Sequence, residues 1–240
     1  MRVATLAAAA AVGVALGACT SHAREGDEAR AERDFPVGPF ERIALAGSDD
    51  VVVRTGAAPS VRAEGDAEAL ERVEIEVRDG QLRIGSRSRG GWNWFGHSRR
   101  GVTVQVTVPS LTEAALTGSG DMRIDRVEGE RFSASVTGSG DLRIDAARVR
   151  QASFSVTGSG TLRAAGSAGQ AQLSLTGSGD MDLAAFETQS ADVGVMGSGN
   201  ARLRATQTAS VSLRGSGNVS VAGGARCSVS KSGSGDVHCA

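Results

Sequence analysis

The chain has 240 residues, 40% of them hydrophobic, enough to bury a real core. Its 26 Lys plus Arg nearly cancel 27 Asp plus Glu, which excludes the global field that draws a protein to nucleic acid or steers a charged substrate. Tyr is absent, aromatics make up 3% and Gly numbers 33, a composition that suits a narrow core of small and aliphatic side chains and gives glycine a structural task.

Met1 and Arg2 precede an apolar run from Val3 to Ala18 that ends in Leu16-Gly17-Ala18-Cys19. The run falls short of the roughly 20 residues of a membrane span, and polar Thr20-Ser21-His22 follows it, so residues 1–18 read as a cleaved signal peptide. The closing string resembles a lipobox, which implies that Cys19 is acylated and becomes the mature N-terminus. Gly17 departs from that pattern, where a larger residue is commoner, and plain cleavage after Ala18 or Ala23 is the alternative. Thr20, not Asp, after the cysteine implies no retention at an inner membrane, so the expectation is a lipid-anchored protein of the cell envelope, in the periplasm or at the outer membrane. Residues 19–39 are charged and poor in large apolar side chains, which predicts a tether with at most a transient helix over Glu25 to Arg33.

Phe40 to Gly56 reads as a first coil around Gly47-Ser48-Asp49-Asp50, followed by Val61-Arg62-Ala63-Glu64, a short helix at Asp66 to Arg72, and strands at Val73–Val77, Gln81–Ile84 and Val102–Val108. These elements are expected to widen and cap one end of the fold. Between the last two strands, the segment Arg87 to Gly101 holds both Trp residues, Trp92 and Trp94, with Phe95, His97 and four arginines including Arg99 and Arg100. Aromatic faces beside guanidinium groups suit sugar rings, anionic headgroups or acidic polymers, so these residues are candidate partner contacts; packing of both Trp side chains back onto the fold is the alternative.

From Gly118 onward Gly-Ser-Gly recurs seven times, at Gly118, Gly138, Gly158, Gly177, Gly197, Gly215 and Gly233, in steps of 18 to 20 residues. The fourth corner residue is Asp121, Asp141, Thr161, Asp180, Asn200, Asn218 or Asp236. Apolar residues lie two and four positions before the Gly of the corners from Gly138 to Gly215, as in Val136 with Ala134, and four and six after the Gly of those from Gly118 to Gly215, as in Met122 with Ile124, with polar residues between; in the last coil Lys231 takes an inward position. This period of two marks a strand with one buried face on either side of a corner. Such a unit buries its apolar face only by stacking, so the predicted fold is an all-β, single-chain parallel β-helix, a solenoid of about seven to eight coils with an N-terminal capping region.

The repeats, with Leu or Val and Thr ahead of the corner and an apolar pair behind it, resemble the head GIN domain of putative auto-transporter adhesins. The resemblance implies one domain over 40–240, with cap and first coil at 40–110 and regular coils at 111–240. It implies an adhesin-like binding module, not an enzyme. A lyase-like enzyme acting on an envelope or extracellular polysaccharide is the rival reading, and Asp121, Asp141, Arg123 and Arg143 are its only acid and base candidates. His22, His97 and His238 are too far apart along such a stack to serve one site.

A calcium ladder at the corners is the alternative to structural turns, but Thr161, Asn200 and Asn218 interrupt it, and Arg123, Arg143, Arg163 and Arg202 stand ready to balance the carboxylates. No metal, cofactor or nucleic-acid partner is therefore expected; the partners expected are the membrane, through the lipid anchor, and an envelope, glycan or protein ligand. Cys227 and Cys239 lie six residues before and after Gly233, both on the inward parity, which predicts a disulfide across the last corner.

Overall fold

The computed structural model describes residues 30–86 and 101–240. The alternation around each corner becomes long strands that each run most of a turn: β10 (Val127–Gly138), β11 (Asp141–Gly158), β12 (Thr161–Gly177), β13 (Asp180–Gly197) and β14 (Asn200–Gly215). Each pairs parallel with the next, so Met122, Leu142 and Leu162 stack in one column and Val136, Val156 and Leu175 in another. The inward pairs are buried from Met122 and Ile124 to Val219 and Val221. Phe132, Phe154 and Phe186 fill the core, and the rings of the last two meet edge to face at 5.3 Å. The stack closes with β15 (Asn218–Ala222), β16 (Arg226–Ser232) and β17 (Val237–Cys239).

Seven Gly-Ser-Gly corners enclose about six turns, slightly fewer than the seven to eight coils expected. The 18-to-20 variation falls in the return segments, where the register shifts between Ile144 and Ala147, Arg163 and Ala165, and Leu183 and Glu187.

The corners explain the glycine. Gly138 has φ +122°, and a Cβ on it would lie 2.3 Å from Gly118 O, while one on Gly140 would lie 2.1 Å from Gly120 O. Backbone therefore stacks directly on backbone. Gly118 O accepts from both Ser139 N (2.9 Å) and Gly140 N (3.2 Å), and the same double acceptance recurs at Gly138, Gly158, Gly177 and Gly197. A sharp bend is thereby built without orphaning its N–H groups.

At the N-terminal end the chain departs from coiling. Strands β2 (Arg42–Gly47) and β3 (Asp50–Thr55) flank the degenerate corner and pair with β8 (Glu113–Gly118) and β9 (Met122–Ile124) on one side. On the other side they pair with β6 (Gln81–Ser86) and β7 (Thr103–Val108). Two antiparallel strands finish the layer: β5 (Val73–Arg78) on β6, through a turn with Asp79 and Gly80 at positive φ, and β4 (Ser60–Asp66) on β7. Asp66 caps the single helical turn α1 (Ala67–Leu70) by accepting from Glu68 N and Ala69 N, and Leu70 is buried.

The segment expected as a tether with a transient helix instead supplies a strand, β1 (Arg30–Phe35), antiparallel to β4. Arg62 of β4 holds Asp34 at 2.8 Å and Glu32 at 3.3 Å, and Ala31 and Phe35 pack partly against the core. The charged residues are ordered by a partner 28 or more positions away, and in return they cover an otherwise bare strand edge.

Candidate functional site

Along the corner ridge the fourth residues form a hydrogen-bonded column. Asp50 Oδ1 accepts from Asp121 N at 3.1 Å, Asp121 Oδ1 from Asp141 N at 2.9 Å, and Asp141 Oδ1 from Thr161 N at 3.1 Å. Thr161 has no carboxylate to continue the pattern, and Asp180 N turns to Gly160 O at 3.1 Å. Beyond it Asp180 Oδ1 accepts from Asn200 N at 3.1 Å and Asn218 Oδ1 from Asp236 N at 3.2 Å. These side chains hold one coil to the next.

The neighbouring arginines follow the expected balance only in part. Arg163 reaches Asp141 at 3.4 Å, whereas Arg123 and Arg143 converge on Asp145, at 2.8 Å and 2.7 Å. Burial pushes the Asp145 carboxyl up, but the hydrogen bonds and charges of Arg143 and Arg123 outweigh it and leave it below the ordinary carboxylate value. Asp121, Asp141, Arg123 and Arg143 are thus engaged with the backbone or in ion pairs. Among the described residues no group of three or more His, Cys, Asp or Glu is arranged to hold a metal ion. His238 is exposed on β17.

Strands β6 and β7 stack on β2 and β3, so the segment joining them is rooted where a corner would otherwise stand. Trp92, Trp94, Phe95, Arg99 and Arg100 of that segment lie outside the described residues, as do His97, His22, Cys19 and the rest of residues 1–29. Asp49, which takes the corner position held by glycine in later coils, is beside this root. It is 8% exposed, its Oδ1 accepts from Val102 N at 3.3 Å, and its Oδ2 is buried with no partner. Burial raises the Asp49 carboxyl above its ordinary value; the Val102 N–H opposes this and the Asp50 charge adds to it.

At the opposite end Cys227 and Cys239 form a disulfide with Cα atoms 6.6 Å apart. Lys231 occupies the column of Leu213 and lies 3.7 Å from Asp236, and Val229 in the same end coil is 47% exposed.

The flank of the solenoid carries a feature that the sequence reading did not single out: a groove of about 1060 Å³ running along the stack. Its floor is the column Ala152, Ala171, Ala191 and Ala209. One wall is Gln151, Gln170, Ser190 and Thr208, and the other Ser153, Gln172, Asp192 and Ser210. The signal was present, since the sixth residue before the corner Gly is Ala in four successive repeats. It was overlooked because these alanines continue the inward alternation, and only the bend of the chain brings their outward neighbours together.

A repetitive parallel solenoid with structural corners defines the class of protein. The family model for the putative auto-transporter adhesin, head GIN domain, matches residues 39–225, and the chain belongs to that family. The chain is also similar to a solved putative adhesin from Bacteroides fragilis, at 18% identity and a TM-score of 0.79, with 89% of this chain and 98% of that one covered. A putative lipid binding protein from Parabacteroides distasonis aligns at 22% identity and a TM-score of 0.70, covering 88% and 96%. A putative adhesin from Parabacteroides merdae aligns at 17% and 0.67, with the same coverage. No curated protein matches the chain.

Proposed function

We propose that this protein is a non-enzymatic, adhesin-like binding module of the cell envelope, anchored through acylated Cys19. The observation that carries the reading is a division of labour on the surface. The acids and bases of the corner ridge are occupied in holding coils together, while the flank offers an open polar groove. Family membership supports the same reading. The lyase reading loses its candidates, because Asp121 and Asp141 accept main-chain N–H groups and Arg123 and Arg143 share Asp145. The segment with Trp92, Trp94, Phe95, Arg99 and Arg100, rooted at the N-terminal end of the ridge, serves as a further contact surface.

Metabolic labelling with a fatty-acid analogue tests the anchor: wild type takes the label and fractionates with membranes, and Cys19→Ala does neither. Pull-down on isolated envelopes tests the contact surface. The double variant Trp92→Ala, Trp94→Ala keeps its Tm within a few degrees and attaches less; undiminished attachment returns those side chains to packing.

A further inference from the structure

We infer that the flank groove binds a neutral, hydroxyl-rich glycan chain lying parallel to the solenoid axis; this rests on the binding-module reading and names its ligand class. The groove runs from Arg131 through Gln151, Gln170, Ser190 and Thr208 to Arg226, one residue per turn. At a strand spacing of about 4.8 Å those five steps make a trough about 24 Å long, with the same polar-Ala-polar cross-section in the four turns from Gln151 to Thr208 and Phe132 and Cys227 in the alanine position at its two ends. A trough with a translational repeat fits a polymer with one of its own, and suits a compact ligand poorly.

The wall chemistry selects the polymer. Arg131 Nε donates to Gln151 Oε1 at 3.0 Å, Gln151 Nε2 donates to Gln170 Oε1 at 3.4 Å, and Thr208 Oγ1 donates to Ser190 Oγ at 3.0 Å. A primary amide has two N–H groups and two acceptor sites, so one bond in each direction leaves Gln151 a donor and an acceptor to present. Groups that both donate and accept match hydroxyls, and the floor at Ala152, Ala171, Ala191 and Ala209, whose side chains are buried, raises no bulk between the two polar walls. Polyanions are poorly served, because the lining cations Arg131 and Arg226 stand at opposite ends and Glu128, Glu130 and Asp192 offset them. A peptide strand finds no open edge, since the main-chain groups of these strands are already paired with the coils above and below. An acyl chain would desolvate both polar walls without satisfying them.

The test uses the purified full-length protein with neutral β-1,4-gluco-, β-1,4-xylo- and α-1,4-gluco-oligosaccharides from disaccharide to hexasaccharide, and an oligogalacturonate as the anionic control, by titration calorimetry. At least one neutral series binds, its affinity rises with chain length, and the anionic control is weaker. Gln151→Ala with Gln170→Ala weakens the hexasaccharide about tenfold or more, and the blocking pair Ser153→Arg, Ser210→Arg abolishes binding. All four positions are exposed and point outward, so Tm holds in both double variants. The inference is overturned if no neutral series binds at millimolar concentration, if the anionic control binds best, or if the blocked variant binds like wild type. Envelope attachment that survives the blocking pair removes the groove from adhesion and leaves the module reading standing. Oligosaccharide held in the groove of a chain that attaches to no envelope does the reverse.

Discussion

The two ends of this solenoid solve one problem in different ways. A parallel stack has no intrinsic stop, so its first and last layers expose core and unpaired strand edges. At the N-terminal end β1, β4 and β5 run antiparallel to their neighbours, α1 buries Leu70, and Phe40 and Val73 are buried in the same region. At the C-terminal end the last coil keeps the parallel register, leaves Val229 half exposed, places Lys231 in the column of Leu213, and is held by the Cys227–Cys239 disulfide. One end is finished by folding and the other by a covalent staple with a charge in the core column, so the two should answer differently to mutation, reduction and pH.

The largest effect is expected from breaking the rule both ends share. Gly158→Ala puts a Cβ 2.5 Å from Gly138 O at φ +118°, with coils stacked on both sides. It should cost about 3–5 kcal/mol in urea denaturation, from backbone strain and overpacking together. Gly233→Ala meets Gly215 O at 2.1 Å, yet among the described strands β16 and β17 are paired on one side only, so this coil can peel away. Its expected loss of about 1–2 kcal/mol should appear as faster amide exchange in β16 and β17 alone; equal losses at the two sites would mean that the stack unfolds only as a whole.

Opening the staple comes next. Cys227→Ser, or reduction, releases a loop closed over 12 residues and should lower stability by about 2–3 kcal/mol. Amide protection should fall in β15 to β17 and stay unchanged in β4 to β7, and loss of protection at both ends would dissolve the contrast drawn here.

The smallest effect tests the folded end. The Asp49 carboxyl sits above its ordinary value, so ionising it opposes folding; that penalty is full above the raised value and vanishes as pH falls through it toward the ordinary 3.8. Asp49→Asn keeps an oxygen for Val102 N and removes the charge. It should raise Tm modestly at pH 7, with the gain shrinking toward pH 4, and a pH-independent difference would assign the effect to packing.

Much of this was legible because the repeat is its own alignment. The period places Val136, Val156 and Leu175 in one column before any coordinates are known, and each is buried. The β1 strand was not legible, because Glu32 and Asp34 look solvated until Arg62 of β4 is brought beside them. Nor was the ion-pairing of Arg123 and Arg143, since Asp145 lies outside the corner motif that drew attention to the arginines. The groove needed the bend as well as the register: the recurrent alanine is visible in sequence, whereas the concavity above it depends on where each turn folds.

The corner hydrogen bonds also have a direction. In successive turns the N–H groups of the serine and of the second glycine donate backward to the preceding coil, and at most corners that of the fourth residue donates backward to the preceding Asx side chain. Their dipoles therefore add along the ridge as peptide dipoles add along a helix, in contrast to the near-cancellation within an ordinary sheet. The ridge acquires a positive pole at the first corner and a negative one at the last. Asp49 and Asp50 stand at the first, the placement of acidic charge that a long helix favours in its opening turn, and at the last the Asp236 carboxylate, which such a pole disfavours, is offset by Lys231 at 3.7 Å.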